Sequence, residues 1–154
     1  MGTDSASGAV AHDAALNQPM MRALLNELAA KLNTLVETGE AQQIDLRRLP
    51  LPSGALTALK DWLGRGEIEA TVRALAVTTI RETAIAGVWW VTHAKVAGHM
   101  LDEHLEITRC PALLMTHPGD IRTAARALQL RLHALDMGTN HEAEPHSSRS
   151  SGSQ

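Results

Sequence analysis

The sequence predicts an α+β fold: two N-terminal helices, a four-stranded antiparallel meander sheet and a C-terminal helix, with the helices packed on one sheet face. Three observations carry that expectation. Apolar residues recur at helical spacing up to Leu63 and again from Ile121 to Leu135. Between them, from Gly66 onward, the period drops to two. The period-two runs are separated by only a few residues, too short for crossover helices, so neighbouring strands run antiparallel.

Taken in order, "QPMMRALLNELAAKLNTLVETGE" reads as the first helix, with Pro19 in its first turn, a stripe of Met21, Leu24, Leu25, Leu28, Leu32, Leu35 and Val36, and Gly39 as its stop. Ile44, Leu46, Leu49 and Leu51 anchor a connection in which Pro50 and Pro52 forbid a long helix. Ser53 is placed to cap the second helix, with Leu56, Leu59, Trp62 and Leu63 inward. The first strand, "EIEATVRA", alternates strictly, with Ile68, Ala70, Val72 and Ala74 on its inner face. "VTTIRETAI" is rich in β-branched residues, "AGVWWVTHAKV" opens at Gly87, and "HMLDEHLEITRC" aligns Leu101, Leu105 and Ile107. Pro111 ends the sheet. The last helix, "GDIRTAARALQLRLHALDM", carries Asp120 at its positive end and buries Ile121, Ala124, Ala125, Leu128, Leu132 and Leu135.

The totals bound the function. A chain of 154 residues suggests one domain, expected over 18–137, with polar arms at 1–17 and 138–154 that cannot offset their ordering entropy and are expected to be disordered. With aromatics at 2% and no Phe or Tyr, core volume comes from Leu, Ala, Val, Ile and Met. A net charge of −3 argues against nucleic acid as a partner. The single cysteine, Cys110, excludes an intrachain disulfide and fits a reducing compartment. The N-terminus lacks the basic and apolar regions of a secretory signal, and no apolar run reaches the ~20 residues of a membrane helix. The expectation is a cytoplasmic protein with no membrane partner and no cofactor.

Catalytic patterns are absent: there is no GxSxG, no HExxH, no CxxC and no phosphate-binding glycine loop. His93, His99, His104, Cys110 and His117 lie close in sequence, but their gaps do not match structural zinc. Surface histidines with Cys110 as a small buried residue are the plainer reading; a metal carrier using His93, His99, His104 and Cys110 is the alternative. That leaves "IRETAIAGVWWVTH". If Ile80 faces the core, so does Glu82, which must then find Arg73, Arg81 or a backbone turn as partner. Trp89 and Trp90 must face opposite sides of the sheet, one filling the core and the other covered by a helix, a second copy or a partner; a binding face is the sharper reading, and a tryptophan lying under the first helix the plainer one.

The segments "GEIEATV", "IRETAIAGVWWV", "LEITRCPALL" and "GDIRTAARAL", preceded by "IDLRRLPLP", together resemble the C-terminal conserved region of the hydrogenase expression/formation proteins of the HupH/HyaF type, from about Met20 to Leu135. The resemblance implies an accessory protein for maturation of nickel–iron uptake hydrogenases. It further implies action on the iron–sulfur small-subunit precursor before assembly and export, alongside a thioredoxin-like companion. The positions matching the family pattern are Glu67, Glu82, Thr83, Gly87, Val88, Trp89, Pro111 and Asp120. This chain departs from the family in being shorter, in its Ser-rich tail, and in carrying Trp90 where a polar or basic residue is expected. The partner-binding set expected on these grounds is Glu67, Arg81, Glu82, Thr83, Gly87, Trp89 and Trp90, in a non-catalytic protein. A homo-oligomeric module, with the exposed tryptophan as a homodimer contact, is the reading from another class.

Overall fold

A computed structural model describes residues 14–74, 76–94 and 99–140. The chain divides into two compact units, Met1–Ala112 and Leu113–Gln154, so the residues expected to form one domain, 18–137, fall in both. Of the two expected disordered arms, residues 1–13 and 141–154 lie outside the described residues, while 14–16 and 138–140 are helical.

The first unit opens with α1, Pro19–Thr38, which starts at a proline and stops at Gly39, whose N–H reaches Leu35 O. Its buried row is Met21, Leu24, Leu28 and Leu35. The stripe is narrower than expected, since Val36 is 83% exposed. Next comes β1, Gln42–Asp45, a fifth strand that the sequence reading took for a connection. Four residues with little alternation form a strand here because β1 lies at a sheet edge and needs one neighbour only, β5. Helix α2, Ala55–Leu63, is capped by Gly54 and not by the Ser53 side chain. Its buried face is Ala55, Ala58, Leu59 and Leu63. Trp62, expected inward, stands at the margin of that face in the last turn and is 51% exposed.

The remaining strands are β2, Glu69–Arg73, β3, Val77–Glu82, β4, Val88–Ala94, and β5, Met100–Ile107. The sheet has five antiparallel strands in the order β1-β5-β4-β3-β2: the expected meander, with β1 added at its far edge. Ile68, expected on the inner face, precedes the opposite edge strand and is 49% exposed.

Register decides what each face presents. Trp90 lies opposite Arg81 on β3 and Leu105 on β5, and Leu105 lies opposite Ile44 on β1. On this face Val88, Trp90, Leu105 and Ile107 join α1 and α2 in a single core. Each Leu or Ile fully buried there contributes about 2 kcal/mol. Trp89, Val91 and His93 alternate onto the other face, opposite Glu106, His104 and Asp102.

In the second unit, α3 runs from Pro118 to Asn140. The Gly119 N–H donates to His117 Nδ1 at 3.1 Å, and Asp120 sits in the first turn. Its apolar stripe does not form the buried face the sequence suggested: Ile121, Leu128 and Leu132 are 53–59% exposed. Helical periodicity identifies an apolar face but not what, if anything, covers it. None of the helices among the described residues is long and apolar enough to cross a membrane.

Candidate functional site

The turn between β3 and β4 organises the site. Thr83 lies at its start, with its N–H donating to Val88 O and its hydroxyl placed 3.0 Å from Val88 O and 3.1 Å from Ile85 O. The same hydroxyl accepts the Ile85 N–H at 3.2 Å, closing the turn on one side chain. Gly87 has φ 85°, a conformation that residues with a Cβ rarely adopt. Glu82 turns back on the segment before β2: its carboxylate accepts the Glu67 N–H at 3.2 Å, while its backbone bonds Gly66 and Ile68. The partner is a backbone turn and not an arginine. A Cβ on Gly66 would lie 2.6 Å from Glu82 Oε2 and 2.7 Å from Thr83 O, so the close approach requires glycine there. The Ala84 N–H donates to Leu63 O at 2.9 Å, tying the turn to the end of α2.

With α2 held in this way, Lys60 stands over Trp90. The Lys60 ammonium lies 4.6 Å from the indole ring centre and donates to Glu103 Oε1 at 2.6 Å. The same oxygen accepts the Trp90 Nε1–H at 2.7 Å. Glu103 is thus a buried carboxylate, 7% exposed, satisfied by one cation and one indole. Neither tryptophan is exposed: Trp89 is 4% accessible and Trp90 2%, and Trp89 Nε1–H donates to Thr108 O at 3.0 Å. The expected exposed tryptophan of this pair is therefore corrected. Strand alternation separates the two indoles, but both faces of the sheet are buried at this point.

A cationic cleft of about 140 Å³ opens here, lined by Lys60, Arg65, Glu69, Arg81, Trp90 and Thr92. Arg65 pairs with Glu69. Arg81 differs: its Nε is buried without a hydrogen-bond partner among the described residues. Thr57, Asp61 and Gly64 line a second opening with Lys60, Arg65 and Arg81. Thr57 also borders a larger apolar cleft of about 440 Å³, walled by Leu46, Leu49, Leu51 and Leu56, and reaching Glu103. These three openings share wall residues, Thr57 between the apolar cleft and the second opening, and Lys60, Arg65 and Arg81 between the second opening and the cationic cleft. The residues about α2 thus form a lane of neighbouring clefts, apolar at one end and cationic at the other. Of the residues predicted from sequence, Arg81 and Trp90 line this lane. Glu67, Glu82, Thr83, Gly87 and Trp89 shape or support the turn beside it. Lys60 and Arg65 were missed because nothing in their local spacing distinguishes them from solvated helix-end cations.

The other face of the sheet holds a polar ladder. His104 Nδ1 is 3.0 Å from Asp102 Oδ2 and its Nε2 is 3.3 Å from Glu106 Oε1. Glu106 first, and Asp102 after it, raise the His104 pKa above its ordinary value against the opposing effect of burial. His93, one register step away on β4, lies with its ring centre 5.5 Å from that of His104, and its Nδ1 is 2.7 Å from Thr78 Oγ1. His93, Asp102 and His104 offer donor atoms all within 4.8 Å of one another. The metal-carrier alternative named His93, His99, His104 and Cys110. The structure brings His93 and His104 together, but His99 and Cys110 are exposed, the latter contrary to its expected burial. Asp102 was missed, although Asp102-x-His104 on one strand face is the period-two signal that could have found it.

Comparisons with known proteins agree on one family. The model of the HupH hydrogenase expression protein, C-terminal conserved region, matches residues 20–135. The hydrogenase expression/formation protein HupQ of Azotobacter chroococcum mcd 1 is 30% identical over 145 residues, covering 84% of this chain and 50% of HupQ. HoxQ of Azotobacter vinelandii, also a hydrogenase expression/formation protein, is 33% identical over 96 residues, 62% of this chain and 33% of HoxQ. The chain spans half or less of these relatives. Among solved structures, the hydrogenase expression protein HupH from Thiobacillus denitrificans ATCC 25259 is 40% identical and superposes with a TM-score of 0.69, over 72% of this chain and 92% of that one.

Proposed function

The chain belongs to the HupH hydrogenase expression protein family through its C-terminal conserved region, and from that premise we propose that it serves the maturation of a nickel–iron uptake hydrogenase by binding the iron–sulfur small-subunit precursor before assembly and export. It acts in the cytoplasm as a non-catalytic binding module, with a thioredoxin-like protein as companion. The family supports the maturation role. The observation that supports binding is the lane beside α2, where leucines lead into Lys60, Arg65 and the unpartnered Nε of Arg81. Such a surface suits a segment that presents an apolar stretch followed by carboxylates. Arginines in a partly desolvated setting beside an aromatic floor are frequent carriers of interface energy. Arg81 remains in the proposed contact set, joined by Lys60 and Arg65, while Trp90 is the buried floor beneath Lys60, and Glu67, Glu82, Thr83, Gly87 and Trp89 hold the contact surface in shape.

The test is capture of the small-subunit precursor, export signal intact, by the full chain and by Arg81→Ala and Arg65→Ala variants. Arg81 can be truncated without orphaning a hydrogen-bond partner at Nε, so the fold is expected to survive. Each variant is expected to bind at least fivefold more weakly, about 1 kcal/mol. Equal capture by the wild type and both variants would remove the lane as the contact. No hydrogenase component captured by the wild type would remove the client.

A specific observation favours a second reading, self-association: the exposed stripe of Ile121, Leu128 and Leu132 on α3 is the kind of face two copies bury against each other. Light scattering over a concentration series separates a dimer from a monomer, and Leu128→Glu is expected to abolish any dimer formed through α3.

A further inference from the structure

We propose that His93, Asp102 and His104 form a binding site for a divalent first-row transition ion of the zinc class, on the sheet face opposite the α2 lane and independent of the client reading. Two imidazoles and one carboxylate are a donor set that such ions favour, and three protein ligands leave one position for water or a partner's ligand.

Geometry supports the assignment at three levels. Asp102 and His104 share a face of β5 at spacing two, and His93 stands opposite Asp102 on β4, so the sheet ladder holds all three backbones. Their donor atoms lie within 4.8 Å of one another. A tetrahedral zinc with bonds near 2.1 Å needs donors roughly 3.4 Å apart. The nearest pair, His104 Nδ1 and Asp102 Oδ2, is already at 3.0 Å, and modest side-chain rotation closes the remainder. Finally, each histidine has one ring nitrogen held from behind: His93 Nδ1 by the Thr78 hydroxyl, and His104 Nε2 by the Glu106 carboxylate. A carboxylate or hydroxyl on the far nitrogen sets the tautomer and orientation of an imidazole whose other nitrogen takes the ion.

The competing account needs no ion: a His104 imidazolium clasped by Asp102 and Glu106. It explains the two carboxylates, but not why a second imidazole is brought to 5.5 Å and fastened there by Thr78. An imidazolium gains only a weak ring contact from that neighbour, whereas an ion gains a ligand.

The untagged 154-residue chain, stripped with chelator, is titrated with Zn²⁺ by calorimetry and with Co²⁺ by visible absorption. One ion per chain is expected at micromolar affinity or tighter, with cobalt bands of low coordination number. His93→Gln and Asp102→Asn are each expected to weaken binding at least tenfold, while His99→Gln and Cys110→Ser leave it unchanged. Both ligand positions are only partly buried, and if the His93 variant does not fold, the milder Asp102→Asn decides. Absence of saturable binding to the wild type overturns the proposal. So does binding that survives both ligand variants, which would place the ion on histidines elsewhere in the chain.

Discussion

Glu103 and His104 are consecutive residues of β5, both buried and both bonded to two polar partners, yet their surroundings are built differently. Glu103 faces the helices. Its partners, Lys60 and Trp90, come from α2 and from β4, so the carboxylate is satisfied only when helix and sheet are docked. His104 faces the other way and takes Asp102 and Glu106 from its own strand, two residues to either side. The first arrangement reports tertiary structure, and the second forms wherever that stretch of strand forms. A polar group whose partners are distant couples its stability to the whole core, while one whose partners are local leaves those partners available to something else.

The largest effect expected from this difference lies in the two tryptophans. Trp90→Ala removes the floor under Lys60, one donor to Glu103 and a large core side chain, for a loss of about 4–5 kcal/mol in urea unfolding. Trp89→Ala is expected near 3–4 kcal/mol, since it forfeits packing and a neutral hydrogen bond to Thr108 O. Phenylalanine separates the contributions. Trp90→Phe keeps most of the packing but loses a charge-assisted bond worth about 2 kcal/mol, against about 1 for Trp89→Phe. Equal costs for the two phenylalanine variants would mean that Glu103 draws no special stabilisation from the indole.

A middle-sized effect tests the pair directly. Glu103→Ala leaves Lys60, two-thirds covered, without its carboxylate beside an unpaired indole N–H, and is expected to cost about 3 kcal/mol. His104→Gln leaves Asp102 and Glu106, whose side chains are 39% and 25% exposed, still reached by water. The metal-free protein is then expected to lose only about 1 kcal/mol. If His104→Gln proves as costly as Glu103→Ala, the two ladders are energetically alike and the contrast fails.

The same contrast sets what could be read from sequence. The helices, the period-two region and the antiparallel order were legible because each rests on local periodicity and on connection length. Strand β1 was not: "QQID" carries no pattern of its own, and only pairing with β5 makes it a strand. Glu82 found a backbone turn, one of its candidate partners, but it is half-buried on the sheet face away from the helix-packed core and does not point into that core. The exposed tryptophan was misjudged because alternation assigns faces, not cover, and Trp62 proved to be the accessible one. Lys60 escaped notice because its partner lies 43 residues away, while the His93–Asp102–His104 cluster requires the β4–β5 register to assemble.

The smallest expected change in stability sharpens the reading of the cleft. Arg65 and Glu69 pair at its rim with side chains 66% and 47% exposed, four residues apart. Water competes for both groups, and ordering two long side chains opposes the attraction, so Arg65→Ala is expected to change unfolding free energy by no more than ~0.5 kcal/mol. Lys60 sits on the same wall with its ammonium against a buried carboxylate, where truncation leaves Glu103 short of a charge. A double-mutant cycle on each pair, Arg65–Glu69 and Lys60–Glu103, reads the coupling free of changes common to the single variants. Coupling below ~0.5 kcal/mol at the rim and above ~1.5 inside would show that the lane has a rigid, tertiary-held floor and a rim whose cation can exchange Glu69 for a carboxylate of the client. Strong coupling at the rim would mean that Arg65 is committed to Glu69, leaving Arg81 as the cation that meets the client.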